Sequence, residues 1–308
     1  MDDNEVQDCV IVGAGPAGLT AALYMARYLR RPLVLHDGAA RAARIPESFN
    51  VPGHPGGISG ADLLARMTEH AERYGARLVE TRIEQASRAD DLFVLRAEDG
   101  QSWRSRTVIL ATGIKLHEVD MPHDLHEVAI RAGVLRYCPI CDGYEYRDKR
   151  IVVVGGDEQG AAEALFMRRF SQHITLVPRL FSELEDDERD QLERAGITVI
   201  ERRIARYAPT SDAMVIYLEG QDQPVSFDLM VPGLGVTPRS ELAEQLGVQI
   251  NHKGCCHEAA LFDSGVAGLW VAGDVLEGLD QVSAAIGHGA IAATNAHNWL
   301  RQQEGETL

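Results

Sequence analysis

Two stretches of this chain are built to one plan, and that repetition constrains the fold more than anything else in it. Residues 8 to 29 read DCVIVGAGPAGLTAALYMARYL: a short apolar run, glycines at 13, 15 and 18, then a segment rich in alanine and leucine. Residues 149 to 170 read KRIVVVGGDEQGAAEALFMRRF, again apolar run, glycine turn and helix-forming segment. Each is followed by another strand-like run, RPLVLHDG after the first and HITLVP after the second. Strand, glycine turn, helix and strand together predict the opening of a doubly wound, parallel-sheet nucleotide-binding domain, and it occurs twice. At 308 residues the chain has room for two such domains.

The intervening sequence fits that frame. An amphipathic helix is expected over 60–76, strands near 78–86 and 92–97, and a further strand in RTVILATG at 106–113. After the second unit come an acidic helix over 183–195, strands near 197–207 and 213–219, and the run DLMVPGLGVTP at 228–238. The last quarter holds GLWVAGDVLEG and then a small-residue helix over 281–300. With 29 glycines, tight turns and close backbone approaches are expected. A net charge of −16 with scattered basic residues argues against a nucleic-acid surface or an anionic membrane. No apolar run is long enough to span a bilayer. The acidic start MDDNEVQDCVIVGAG lacks the pattern of a secretory signal, so a cytoplasmic, reducing setting is expected.

The first glycine turn is placed for phosphate chemistry. Gly13 permits the turn, Gly15 lets a pyrophosphate approach the backbone, and Gly18 lets helix and strand pack closely. The phosphate would sit on the helix N-terminus, where unpaired N–H groups and the dipole favour negative charge. Asp37, at the end of the next strand, stands where an acid would hold a ribose. This pattern alone does not separate FAD from NAD.

The chemistry-bearing motif is RYCPICDGYEY, residues 136 to 146, with Cys138 and Cys141 three apart and Asp142 next. A C-x-x-C fits a metal site, a structural staple or electron transfer. A structural zinc needs four ligands, and only the adjacent Cys255 and Cys256 with His257 could complete one. A redox pair works by thiolate attack and exchange through a mixed disulfide, and a C-x-x-C at a helix start favours one thiolate. Cys9, inside a strand-like run, reads as an inert core thiol. His288 reads as packed or solvated.

With these pieces together, the stretch around the cysteines resembles the C-x-x-C-D-G centre of the low-molecular-weight, bacterial-type thioredoxin reductase family. The resemblance covers nearly the whole chain, with motifs in the same order. Ala111, Thr112 and Gly113, and then Gly273 and Asp274, look like the secondary flavin motifs of that family. SFNVPGHPGGISG, 48 to 60, resembles the segment whose asparagine touches the flavin, here Asn50. The resemblance implies FAD as cofactor, with Pro16, Ala17, Gln281 and Val282 also at its site. It implies two Rossmann-like domains, the second inserted into the first, and a homodimer. Expected boundaries are residues 1–116 and 244–308 for the FAD-binding domain and 117–243 for the insert. It also implies that Cys138 attacks a partner's disulfide, Cys141 faces the flavin and Asp142 supplies and removes the proton.

One family feature is broken. The second glycine turn would bind NADPH, but Asp157 occupies the place of its second glycine, obstructing and repelling a pyrophosphate. The family's His-Arg-Arg stretch after the next strand is reduced to Pro178, Arg179 and Leu180, followed by acidic residues, so the bidentate grip on a 2′-phosphate is lost. The expected activity is therefore FAD-dependent thiol–disulfide exchange with a thioredoxin-like protein or a small dithiol or disulfide, electrons coming from another flavin or flavoprotein. The rivals are a dithiol oxidase that passes electrons to oxygen, an NAD(P)H-dependent thioredoxin reductase with an atypical site, and a flavin-binding redox sensor without turnover. The family's dithiol oxidases often carry histidine after the second cysteine, so Asp142 favours the reductase.

Overall fold

The computed structural model describes residues 5–156, 158–178, 184–257 and 264–306. They divide into two compact units: Met1–Glu47, Val51–Lys115 and Thr237–Leu308 form the first, and Ser48–Asn50 with Leu116–Val236 form the second. Both are α/β, and the second is inserted into the first. Apart from the short excursion at Ser48–Asn50, the chain crosses between them at 115/116 and 236/237, against sequence expectations of 116/117 and 243/244.

In the first unit the central strand Val6–Val12 pairs in parallel with Pro32–His36 on one side and Ser102–Leu110 on the other. Arg77–Glu80 extends the sheet beyond Pro32–His36, and Leu269–Val271 pairs in parallel with the end of Ser102–Leu110. The start of that long strand instead carries the antiparallel strands Leu92–Ala97 and Ile83–Ala89. Side chains alternate across the sheet. Cys9, Ile11 and Ile109 pack into a core formed with the helices Pro16–Arg27 and Val282–Gln303. Val10, Val12, Val108 and Leu110 pack into a second core on the opposite face. Each fully buried Val or Ile contributes about 1.5–3 kcal/mol, which is why a central strand buried on both faces reads as one apolar run.

The second unit repeats the scheme. Its parallel strands lie in the order Thr198–Val199, Ile174–Val177, Ile151–Val154 and Leu229–Pro232. Val152, Val154 and Met230 face one core, and Ile151, Val153 and Val231 the other. An antiparallel sheet of Ile204–Pro209, Met214–Leu218 and Val225–Phe227 covers the first of these.

Two stretches read as single strands are each divided. Residues 78–86 split into Arg77–Glu80, a parallel edge, and Ile83–Ala89, a hairpin arm. Residues 197–207 split in the same way into Thr198–Val199 and Ile204–Pro209. In both cases the two halves pair with different neighbours, which the run of residues does not reveal. No helix among the described residues is long and apolar enough to cross a membrane.

Candidate active site

The redox turn is built at the start of a one-turn helix, Pro139–Asp142. Proline at its first position has the φ a helix needs and lacks an N–H that would go unpaired there. Cys138 is its N-cap residue, in extended conformation, and its Sγ accepts the Cys141 N–H at 3.1 Å. Cys138 and Cys141 are joined by a disulfide with Cα atoms 5.3 Å apart. Gly143 ends the turn because nothing larger fits: a Cβ there would lie 2.5 Å from the Phe170 ring. Asp142 is half-buried, and burial pushes its carboxyl up to about 6, against the pull of Arg136 and with a smaller push from Glu145. The Arg136 Nε stands 3.8 Å from Asp142 Oδ1.

The remaining cysteines are different in kind. Cys9 is fully buried and its thiol is pushed up to about 12, mainly by burial. Cys256 is also buried and pushed up to about 12, and Cys255 beside it is raised by burial and by Asp280 and Glu277. Among the described residues no group of three or more His, Cys, Asp or Glu is arranged to hold a metal ion.

The first glycine turn shows which glycines the protein needs for itself. Gly13 has φ +112°, and a Cβ on it would lie 2.2 Å from the Ala111 carbonyl oxygen. A Cβ on Gly18 would lie 1.9 Å from the Gly13 carbonyl oxygen. Both are demanded by packing of strand, turn and helix. A Cβ on Gly15 would meet nothing within 4 Å, and the Gly15 backbone is ordinary extended chain at φ −78°. The protein's own packing does not require glycine at 15; a ligand lying against the backbone would. Pro16 and Ala17 open the helix Pro16–Arg27, whose N-terminus has no side-chain cap and no acid in its first turn. Those free N–H groups suit a pyrophosphate. This cradle fits the FAD the motifs imply.

Around it the structure brings together most of the residues marked for the cofactor. Ala111, Thr112 and Gly113 follow the strand Ser102–Leu110, and the Thr112 hydroxyl donates to the Arg239 carbonyl at 2.6 Å. Asp37 is exposed at the end of Pro32–His36 and pairs with Arg239 Nη1 at 3.3 Å. Gly273 lies against Ala17, and Asp274 follows it, its carboxyl raised by burial while Arg41 pulls it down through a 3.1 Å contact. Asp280 is pushed up to about 6 by burial and by Asp274, with Arg41 opposing. Gln281 is the N-cap residue of Val282–Gln303, and Val282 packs with Val51, Ile58 and Leu63. Asn50 belongs with the second unit, where its Oδ1 accepts the Ser48 hydroxyl at 2.9 Å.

Arg41, Arg239 and Arg136 escaped the sequence reading, since an isolated arginine carries no spacing signal. The small residues of Val282–Gln303 let it pack closely on helix Pro16–Arg27. A Cβ on Gly289 would lie 2.2 Å from the Ala17 carbonyl oxygen, and Ala285, Ala292, Ala293 and Ala296 pack with Ala21, Ala22 and Met25 of helix Pro16–Arg27.

In the second unit Gly155 and Gly160 repeat the close approach, each Cβ position lying within 2.5 Å of backbone. The helix that follows, Glu158–Met167, carries Glu158 in its first turn, the opposite of the first cradle. Asp157, Arg179 and Leu180 lie outside the described residues; Pro178 follows the strand Ile174–Val177 directly.

A sequence profile for the pyridine nucleotide-disulphide oxidoreductases matches residues 7–289. The chain belongs to that family. The chain is 30% identical over 311 residues to a 34.2 kDa protein in the rubredoxin operon of Clostridium pasteurianum, covering 97% of this chain and 99% of that one. It is 28% identical to thioredoxin reductase of Bacillus subtilis (strain 168), over 100% of this chain and 99% of the relative. The crystal structure of thioredoxin reductase from Streptococcus pyogenes superposes with a TM-score of 0.87 at 26% identity, covering 97% of this chain and 99% of that one. This family member is a flavin-dependent disulfide oxidoreductase of the thioredoxin reductase type.

Proposed function

We propose that the protein reduces the disulfide of a thioredoxin-like protein or of a small disulfide compound, giving the dithiol, with FAD in the first unit and with electrons from a donor other than NADPH. The observation that carries the reading is the Cys138–Cys141 disulfide at the start of a helical turn, with the half-buried Asp142 next to it. When bound, FAD supplies a two-electron store that exchanges with a dithiol. Gly15 and the N-terminus of Pro16–Arg27 would hold its pyrophosphate, with Gly13 and Gly18 shaping the turn, and Asp37 and Asp274 would accept from its hydroxyl groups. Cys141 is the sulfur that communicates with the flavin, and Cys138 is the sulfur that attacks the partner. The Cys141 N–H, aimed at the Cys138 sulfur, favours the thiolate once the bond is opened. Asp142, raised to about 6, holds a proton long enough to give it to a leaving sulfur and loses it readily near neutrality.

The case against NADPH rests on charge. Glu158 sits in the first turn of the helix that would receive a pyrophosphate. Asp186, Asp187 and Glu188 open the next helix, Asp186–Arg194. Negative charge at these N-termini opposes a dianionic ligand instead of drawing it in. In the sequence, Asp157 at the second position of the glycine motif and the loss of the arginine cluster argue in the same direction. Another flavin or flavoprotein is the proposed donor; a homodimer and a cytoplasmic setting complete the reading.

Anaerobic mixing of the purified yellow protein with NADPH, NADH and then dithiothreitol tests it. Dithiothreitol is expected to bleach the flavin and the nucleotides to leave it coloured; rapid bleaching by either nucleotide at micromolar levels would reject the donor assignment. Restoration by air at a useful rate would favour an oxidase instead. Cys141→Ser is expected to abolish bleaching by dithiothreitol, whereas Cys138→Ser blocks turnover with a protein disulfide.

A further inference from the structure

Arg136 is held where it is for a reason the redox pair alone does not supply. Its backbone N–H donates to the Met230 carbonyl at 3.0 Å, and the Met230 N–H donates to the Val134 carbonyl at 2.8 Å, so residues 134–136 lie as an extra edge beside Leu229–Pro232. Successive side chains of an extended segment point opposite ways. Tyr137 therefore turns to one side, where its hydroxyl meets His126 Nε2 at 2.8 Å and accepts the Val119 N–H at 3.4 Å. Arg136 turns to the other, toward the cysteine turn.

There its guanidinium is nearly enclosed. The side chains of Arg136 and Asp142 are each only 14% exposed, and Nε stands 3.8 Å from Asp142 Oδ1. That is too long for a hydrogen bond, and the buried Nε has no hydrogen-bond partner among the described residues. A buried guanidinium nitrogen left unpaired is destabilising. The fold keeps this one within a short side-chain movement of a carboxylate without closing the gap. Arg136 from the preceding edge and Glu145 from the following turn are the charged groups that act on Asp142, and they act in opposite directions.

We propose that Arg136 is a positioning residue of the redox centre, whose guanidinium takes up the Asp142 charge each time that carboxyl hands its proton to a leaving sulfur. The inference rests on Asp142 being the proton carrier of the proposed function. In the step concerned, the Cys138 thiolate attacks one sulfur of the partner's disulfide and a mixed S–S bond forms. The partner's S–S bond breaks, and its second sulfur leaves with the bonding electron pair. That sulfur takes the proton from Asp142, whose O–H bond breaks, and the carboxylate left behind closes on Arg136. Cys141 as thiolate then attacks the Cys138 sulfur of the mixed disulfide, whose S–S bond breaks and releases the partner's first sulfur as thiolate. The Cys138–Cys141 bond forms, so the partner's disulfide is reduced and the enzyme dithiol oxidised with no further reactant required.

The test is single-turnover reduction of bis(2-hydroxyethyl) disulfide by dithiothreitol-reduced, desalted protein across pH 5 to 10, in a Cys255→Ser background that removes the half-buried surface thiol. The alkaline limb reports loss of the Asp142 proton. Arg136→Met is expected to move that limb upward by about one pH unit or more, since an opposite charge at this range shifts a carboxyl by roughly 1–3. Arg136→Lys, which keeps the charge but not the fork, moves it less. Adding Arg136→Met to Asp142→Asn changes nothing further. A limb that stays in place in Arg136→Met, while Asp142→Asn removes it, overturns the role of Arg136 and leaves Asp142 standing. A shift that persists in the double variant also overturns it, because Arg136 would then act on the sulfur directly. A limb untouched by Asp142→Asn rejects the proton carrier itself, and the proposal with it. If Arg136→Met does not fold, Arg136→Lys decides: an intermediate shift supports the proposal and none overturns it.

Discussion

Three glycines of the first turn share a motif but not a cause. Gly13 and Gly18 are fixed by the protein's own backbone, with Cβ positions 2.2 Å and 1.9 Å from carbonyl oxygens. Gly15 has open space instead. Gly18→Ala is accordingly expected to destabilise the chain by about 3 kcal/mol or more, read as a lower melting temperature with and without flavin. Gly15→Ala should leave the flavin-free protein within about 0.5 kcal/mol of wild type and weaken flavin binding tenfold or more, about 1.4 kcal/mol, measured by absorbance after dialysis. Equal damage from both would mean that Gly15 serves the fold and not a ligand. The residue scale is also where sequence reading is strongest and most blind. The cysteine pair and its acid were legible because their spacing has few uses. Arg136, Arg41 and Arg239 were not, since each meets its carboxylate only after the chain has folded: Arg41 lies 233 residues from Asp274, and Arg239 lies 202 from Asp37.

Elements were legible where periodicity and length agreed, as in Gly60–Arg73 and Val282–Gln303. They were not where one apolar run serves two neighbours, as at residues 78–86 and 197–207. The C-terminal helix shows what holds an element beyond its buried stripe. Glu304, its C-cap residue, accepts from both Arg30 nitrogens at 2.8 Å and from Arg106, tying the helix end to the start of the unit. These hydrogen bonds lower the Glu304 carboxyl from 4.5 to about 2. Because the folded value is depressed, the clamp's contribution is complete above about 4.5 and is lost as pH falls toward 2. Glu304→Gln should lower the melting temperature by a few degrees at neutral pH, a modest effect because the site is partly solvated. The gap from wild type should narrow and close as the pH is brought down through that interval; a gap constant with pH would show that packing, not charge, anchors the helix end.

On the scale of the molecule, the insertion decides what can stand alone. The second unit is nearly continuous in sequence and has cores on both faces of its parallel sheet. A fragment spanning 116–236 should therefore unfold cooperatively on heating and form the Cys138–Cys141 bond, followed by circular dichroism and thiol counting. Residues 1–115 without 237–308 should not, because they lack Leu269–Val271 at the sheet and Val282–Gln303 across helix Pro16–Arg27. A non-cooperative insert fragment would show that it borrows its stability from the first unit. The same topology sets an order of events during synthesis. At about 5–20 residues per second, the ribosome releases the whole inserted segment several seconds before the last helix of the surrounding unit. The nascent chain thus carries a finished insert while the glycine cradle of the first unit still lacks the helix Val282–Gln303 that packs against it.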